Sequence, residues 1–128
     1  MRLLLDAHAA LWWFNDDRRL SARARRAIED GAAERFLSVA AAWEIAVKSS
    51  LGRLKLPLPV GRFLQEHLPR NHIQLLAIGI GDLTTVETLV FHHRDPFDRL
   101  MAAQALEREL TVISADPIFK KYGVERIW

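Results

Sequence analysis

Five short apolar runs, separated by segments with helical patterning, constrain the fold of this 128-residue chain most strongly. The clearest run is residues 2–5 (Arg-Leu-Leu-Leu), which ends at Asp6. A nearly all-apolar strand of this kind suits a parallel sheet, which is covered on both faces. Similar runs occupy residues 35–39, 73–78, 111–114 and 124–127. Strands that alternate with helices predict an α/β fold with a mostly parallel sheet of four or five strands and right-handed crossovers.

The segments between the runs carry helix signals. Ser21 suits the N-cap of a helix that Gly31 ends. Asp82 suits the cap of a later helix that runs to the His92-His93 pair. Two prolines exclude a helix from residues 52–59. Helices are therefore expected over about 8–14, 21–31, 40–50, 60–68 and 82–93, from 96 onwards, and over 118–122.

Composition limits the classes of protein that this chain can be. Its length suits a single domain, residues 1–128, and 50% hydrophobic residues argue against disorder. The absence of cysteine excludes disulfides, thiolate metal sites and cysteine nucleophiles. No apolar run approaches the ~18–20 residues of a membrane span, and the apolar start is too short for a signal peptide. We therefore expect a cytoplasmic protein without membrane contact.

The net charge of +2 says little about partners, but the positive charges are clustered. One cluster comprises Arg18, Arg19, Arg23, Arg25 and Arg26, and a second comprises Lys48, Arg53 and Lys55. Such clusters can bind phosphate groups. The commoner explanation is a solvated face, and the sequence leaves both open.

An acid lies on the apolar face of the helix that begins at Pro96. Proline suits the first helical position, where its missing N–H would be unpaired anyway. At the helical period, Ala102 and Ala105 fall on the stripe of Asp98, so this carboxylate should point inward. A buried carboxylate persists when it is paired, hydrogen-bonded or bound to a metal. The alternative is a first-turn acid that the helix dipole favours.

Three further acids are expected near Asp98. Glu44 shares the stripe of Ala40, Ala41, Val47 and Leu51. Its alternative is an (i, i+4) pair with Lys48, worth only ~0.3–0.5 kcal/mol. Asp6 and Asp116 each follow the carboxyl end of a strand, which is where ligands of parallel sheets bind. Four carboxylates should therefore meet at one edge of the sheet.

Four convergent carboxylates would raise one another's pKa by repulsion unless a cation offsets their charge. Oxygen-only ligands suit Mg²⁺ or Mn²⁺, as one ion or two. A metal-bound water is a nucleophile, and a pair of ions ~3.5–4 Å apart stabilises both oxygens of an in-line phosphodiester displacement. Nearby basic residues would hold a polyanionic substrate.

At this point the chain resembles the PIN-domain family, and more narrowly its VapC-like ribonuclease toxins. The resemblance covers nearly the whole chain and rests on four motifs: Leu4-Leu5-Asp6-Ala7-His8, Trp43-Glu44-Ile45-Ala46-Val47-Lys48, Asp95-Pro96-Phe97-Asp98-Arg99 and Ser114-Ala115-Asp116. It implies a three-layer α/β/α PIN-like fold and a metal-dependent endoribonuclease that hydrolyses RNA. It also implies a homodimer, and inhibition by a small antitoxin in a type II toxin–antitoxin pair.

The resemblance carries the metal ligands and catalytic acids over to Asp6, Glu44, Asp98 and Asp116. Ser114 matches the hydroxyl residue that the family often places two before its last acid. Ala7 departs from the pattern, because the family often has Ser or Thr after the first acid. That departure removes a hydroxyl contact to a metal-bound water but leaves the carboxylates in place.

Several neighbouring residues are candidates for auxiliary roles. His8 should lie near the site as a neutral hydrogen-bonding group, whereas the five histidines lack the spacing of a zinc site. Asp95 could support Asp98 or bind substrate, but we favour a cap before Pro96. Arg99 and Lys48 could contact phosphate or pair at the surface. The aromatic residues Trp12, Trp13, Phe14 and Trp43 could stack on bases, although packing in the core is the better interpretation.

Two other classes of function compete with the nuclease. A phosphoacceptor signalling domain would need paired acids after the first strand and a lysine after a late one, whereas Asp6 stands alone and Ser-Ala-Asp follows the fourth strand. A non-catalytic PIN-like binding module could lose acids, and this chain has lost none of the four. No glycine-rich loop predicts a nucleotide site.

Overall fold

The computed structural model describes residues 1–128, which form a five-stranded sheet with the order β3-β2-β1-β4-β5. The strands are β1 Arg2–Leu5, β2 Glu34–Ser38, β3 Ile73–Leu76, β4 Thr111–Ile113 and β5 Arg126–Ile127. Every neighbouring pair is parallel, which confirms the predicted sheet. The chain moves outward from β1 to β3, returns to the other side of β1 as β4, and ends at β5. The strand order therefore reverses between β1 and β4, and ligands of such sheets bind beyond the strand ends at that point.

Seven helices connect and cover the strands, and together they form the three-layer α/β/α architecture. They are α1 Ala7–Phe14, α2 Ala22–Glu29, α3 Val39–Ser50, α4 Val60–Arg70, α5 Ile80–Thr88, α6 Pro96–Arg108 and α7 Ile118–Lys121. No helix among them has both the length and the apolar character that crossing a bilayer requires.

The central strand β1 lies inside the apolar core. Leu3, Leu4 and Leu5 are all fully buried, as expected of a strand that is covered on both faces. One continuous apolar cluster extends from Leu3 to Val124. Because β1 pairs with both β2 and β4, its carboxyl end is held firmly at the centre of the sheet edge.

Some predicted boundaries shift because side chains cap the chain locally. The strand expected over residues 35–39 is Glu34–Ser38, and Val39 instead begins α3, because the Oγ of Ser38 accepts the N–H of Ala40 at 3.0 Å and caps the helix. The strands expected over 73–78 and 124–127 are shorter, since only Ile73–Leu76 and Arg126–Ile127 pair with neighbours. Ser21 caps α2 as predicted, with its Oγ 3.0 Å from the nitrogen of Ala24.

The prediction for the helix around Asp82 was wrong at both ends. The helix begins at Ile80, and Asp82 lies one turn inside it, where its Oδ2 accepts the N–H of Gly79 at 2.8 Å. Asp82 also forms a buried ion pair with Arg108 on α6. The helix ends at Thr88 instead of reaching the histidine pair, and residues 89–95 lead to α6 without regular structure.

The expectation of a packed aromatic group holds for three of its four members. Trp12, Trp13 and Phe14 are partly buried against the core. Trp43 is 57% exposed and contacts the ring of Phe97 edge-on, with the centroids 5.1 Å apart. Packing of Trp43 in the core was therefore a wrong prediction, because its face of α3 points away from the sheet.

Candidate active site

Asp6 links the central strand to the first helix. Its backbone N–H donates to the carbonyl of Ile113 on β4, which continues the sheet pairing one residue past β1. Its Oδ1 accepts the N–H of Ala9 at 2.8 Å and so caps α1. Burial raises the pKa of Asp6, and this effect outweighs the lowering by hydrogen bonds from the Ser114 side chain and the Ala9 backbone.

Asp116 follows the neighbouring strand and is held by Ser114. The Ser114 side chain is fully buried, and its Oγ accepts the N–H of Asp116 at 3.0 Å. The Oδ1 of Asp116 in turn accepts the N–H of Ile118 at 2.9 Å, which fixes the carboxylate over the start of α7. The switch point between β1 and β4 therefore carries one carboxylate from each strand.

Asp98 shows most directly that the acids converge. The pKa of Asp98 rises to about 7, first through burial and then through the negative charges of Asp95, Glu44, Asp6 and Asp116 in that order. The Coulomb interaction weakens with distance, so the charges that shift a pKa lie near the titrating group. The four other acids therefore lie close enough to Asp98 to raise its pKa.

Glu44 lies on α3 with only 6% of its surface exposed. Its Oε2 is 2.5 Å from the Nζ of Lys48, so the predicted (i, i+4) pair forms. The pair and the inward orientation coexist, because Glu44 lines the same cleft as Asp6 and Asp98. The half-buried Lys48 offsets one of the negative charges there.

His93 is part of the cluster, and the sequence analysis did not assign it a role. Its Nε2 lies 3.4 Å from Oδ2 of Asp98 and 3.7 Å from Oδ2 of Asp116. Its Nδ1 accepts the backbone N–H of Asp95 at 3.1 Å. With Nδ1 occupied as an acceptor, Nε2 is the ring atom that faces the two carboxylates. The only sequence signal was its position two residues before Asp95, which no spacing rule for histidine ligands would have selected.

The remaining auxiliary candidates divide between the cleft and the fold. Asp95 caps α6 as predicted, because its Oδ1 accepts the N–H of Phe97 at 2.8 Å, and it also lines the cleft. His8 lines the cleft as well and stacks on Trp12, with the ring centroids 5.5 Å apart.

The expectation for Arg99 was wrong. Its side chain is buried, and the guanidinium donates to the carbonyls of Val86, Leu89 and Val90 at 3.0–3.2 Å. It also lies 3.9 Å from the ring centroid of Phe91. Arg99 therefore donates to the carbonyls at and just beyond the carboxyl end of α5, which need donors, and forms no surface ion pair.

These residues surround a cleft of about 380 Å³, which we call the acidic cleft. Its acids are Asp6, Glu44, Asp95, Asp98 and Asp116, and Lys48 is its single lysine or arginine. Five carboxylates face one lysine, so the cleft has an excess of acids, and their charges add to burial in raising the pKa of Asp98. Oxygen donors with uncompensated negative charge fit a hard divalent cation such as Mg²⁺ or Mn²⁺.

A parallel sheet with an acidic cleft at its carboxyl edge defines the class of this protein. The PIN domain family model matches residues 3–125, and the chain belongs to that family. It is similar to Ribonuclease VapC22 of Mycobacterium tuberculosis, with 33% identity over 116 residues that cover 89% of this chain and 86% of that protein.

Solved structures share the fold at lower sequence identity. VapBC2 from Rickettsia felis, bound to a DNA fragment from its promoter, has a TM-score of 0.71 with 13% identity and full coverage of both chains. VapBC-1 from nontypeable Haemophilus influenzae has a TM-score of 0.69 with 15% identity, covering 98% of this chain and 96% of that one. FitAB bound to the IR36 DNA fragment has a TM-score of 0.61 with 17% identity, over 97% and 92% of the two chains. These likenesses establish the fold.

Proposed function

We propose that this chain is a metal-dependent endoribonuclease, the toxin of a type II toxin–antitoxin pair, with its active site in the acidic cleft. The observation that carries the proposal is the pKa of Asp98, which rises to about 7 through burial and the charges of four neighbouring acids. A folded protein retains such repulsion at a functional site more readily than elsewhere. The similarity to Ribonuclease VapC22 supports RNA as the substrate.

In this proposal Asp6, Glu44, Asp98 and Asp116 hold one or two Mg²⁺ or Mn²⁺ ions. Held by these residues, a divalent cation would supply Lewis-acid stabilisation of the phosphate and an activated water for hydrolysis, and we expect 5′-phosphate and 3′-hydroxyl ends. The carboxylate oxygens suit these ions, and one oxygen each of Asp98 and Asp116 lies with a ring nitrogen of His93 within 4.8 Å of one another.

Neighbouring side chains hold the carboxylates of the acidic cleft in position. Ser114 orients Asp116 through its backbone N–H, and Asp95 fixes the first turn of α6 that carries Asp98. Lys48 holds Glu44 in the cleft through their ion pair. His93 places its Nε2 3.4 Å from Asp98 and 3.7 Å from Asp116, at the mouth shared by the two carboxylates.

The proposal includes an antitoxin partner and a homodimer. Two of the structural neighbours are VapBC complexes, which supports a small protein inhibitor for this chain. On α5, Ile80 is 84% and Leu83 is 54% exposed, and exposed apolar residues of this kind are often covered by a subunit or partner. An RNA substrate and a protein inhibitor are both consistent with a cytoplasmic location.

The decisive experiment is cleavage of total RNA by the purified protein with Mn²⁺, Mg²⁺ or EDTA. We expect cleavage with either ion, none with EDTA, and a 5′-phosphate at each new end. Asp98→Asn should abolish cleavage without unfolding the protein, whereas Glu29→Gln, which removes an exposed acid from α2, should not. Full, metal-dependent activity of Asp98→Asn would remove that residue from the mechanism. A folded wild-type protein that binds RNA but never cleaves it would indicate a non-catalytic PIN-like module.

A further inference from the structure

A second groove adjoins the acidic cleft and has the opposite charge. It lies between α1 and residues 53–57, and three cationic side chains line it: Arg19, Arg53 and Lys55. No acid lines this groove, which we call the basic groove. The indole of Trp12 forms part of its wall.

The basic groove and the acidic cleft are joined by a small cavity that shares residues with both. His8 borders all three spaces. Lys48 lines the acidic cleft and the connecting cavity, and Arg53 lines the connecting cavity and the basic groove. A flexible chain with its scissile bond in the acidic cleft can therefore continue past His8 into the basic groove.

The local sequence explains why the cations of residues 53–57 face outward. Leu54 and Leu56 are half-buried and pack against the core, whereas Arg53 and Lys55 between them are exposed. This alternation turns the two leucines towards the core and leaves both cations exposed, and Pro57 and Pro59 keep the segment out of a helix. Gly52 begins the segment with a φ of +72°, which glycine adopts without strain.

The charges of this segment are not used within the chain. Arg53 and Lys55 form no ion pair, in contrast to Arg19, which is paired with Asp17 at 2.8 Å. Two unpaired cations in a groove without acids attract a polyanion. The Trp12 ring is already in contact with His8 and with the guanidinium of Arg19, so it forms the wall of the groove and supports these side chains.

We propose that the basic groove binds the single-stranded RNA that flanks the scissile phosphate, with Arg53 and Lys55 contacting successive phosphates. This inference rests on the proposed nuclease function and adds the path of the substrate. The carboxylates of the acidic cleft repel phosphate groups, so the RNA on either side of the scissile bond needs cations outside that cleft. An acidic protein segment would also meet these charges, but it would have no need of continuity with the acidic cleft.

The test measures binding of a fluorescein-labelled, random-sequence 12-nucleotide RNA in the Asp98→Asn background, where the RNA stays intact. Arg53→Gln with Lys55→Gln should weaken binding roughly tenfold near ~0.15 M salt and reduce the slope of log K against log salt by about 1.4. The matched control is Arg23→Gln with Arg26→Gln, which removes the same charge from exposed positions on α2 that line neither space. This control should leave the affinity and the salt slope unchanged.

Two results would overturn the proposal, and neither depends on whether the protein cleaves RNA. One is an unchanged RNA affinity and salt slope in the Arg53/Lys55 variant. The other comes from a binding assay with a labelled oligoglutamate peptide. If the Arg53/Lys55 variant binds this peptide more weakly but binds RNA as wild type does, the groove receives an acidic protein segment instead. Loss of RNA binding in a system whose wild-type protein never cleaves RNA would support the groove and contradict the proposed nuclease.

Discussion

Replacing Asp98 by asparagine should stabilise the metal-free protein even as it abolishes cleavage. The pKa of Asp98 rises to about 7 because the carboxyl is buried beside other acids. The folded state therefore holds its proton more tightly than the unfolded chain, and ionisation at higher pH costs folding free energy. Asparagine keeps the shape of the side chain and removes the charge.

The rise in the pKa of Asp98 sets both the size of this stabilisation and the pH range in which it appears. One pKa unit corresponds to about 1.4 kcal/mol, so the rise to about 7 sets a ceiling of ~4 kcal/mol. The Asp98 side chain keeps 16% exposure, and solvent screens its charge, so we expect about 1–2 kcal/mol. Both states are protonated below about pH 4, where the penalty is absent. The penalty grows as pH rises towards 7 and is constant above it.

The assay is urea unfolding of wild type and Asp98→Asn in EDTA at pH 5 and pH 8. The variant should be more stable at pH 8, with a smaller difference at pH 5. Glu29→Gln serves as the control, because it removes an exposed carboxylate and should show no such difference. A variant that is less stable than wild type at pH 8, or a difference that does not vary with pH, would refute the account of the site as a cluster of repelling charges.

Two further predictions concern the cation site and the buried arginine. Mn²⁺ at 100 times its dissociation constant should stabilise wild type by about 2.7 kcal/mol. Calorimetry should show a smaller stabilisation of Asp98→Asn at the same Mn²⁺ concentration. Equal stabilisation of the two proteins would place the ion elsewhere. Arg99→Lys should lower the free energy of unfolding by ~2–3 kcal/mol, because an ammonium cannot reach all the carbonyls that end α5. RNA cleavage at low temperature should persist in this variant, and its loss without destabilisation would mean that Arg99 contacts substrate.

The sequence predicted the convergence of acids because that convergence depends on regular elements. Asp6 and Asp116 follow neighbouring parallel strands, so the sheet itself brings them together. Glu44 and Asp98 lie on apolar helix stripes, and the helical period places them inward. In each case a local pattern carries the information about the tertiary contact.

The residues that sequence analysis misjudged depend on contacts without a local pattern. His93 lies in the irregular stretch between α5 and α6, and its orientation depends on the backbone of Asp95. Arg99 is one residue beyond Asp98 and resembles a surface arginine in sequence. Arg99 is buried because it lies against the end of α5. The carbonyls at that end in turn accept hydrogen bonds from Arg99. Neither half of such a mutual dependence can be predicted alone.

The position of β1 between β2 and β4 determines when the acidic cleft can assemble during synthesis of the chain. Asp6, Glu44 and Asp98 all emerge from the ribosome before β4, which forms the missing side of the central strand. Until the segment around Asp116 has emerged and paired, a growing chain has an open sheet edge and an incomplete set of carboxylates. The acidic cleft therefore takes shape only after the segment that contains Asp116 has been synthesised and β4 has paired with β1.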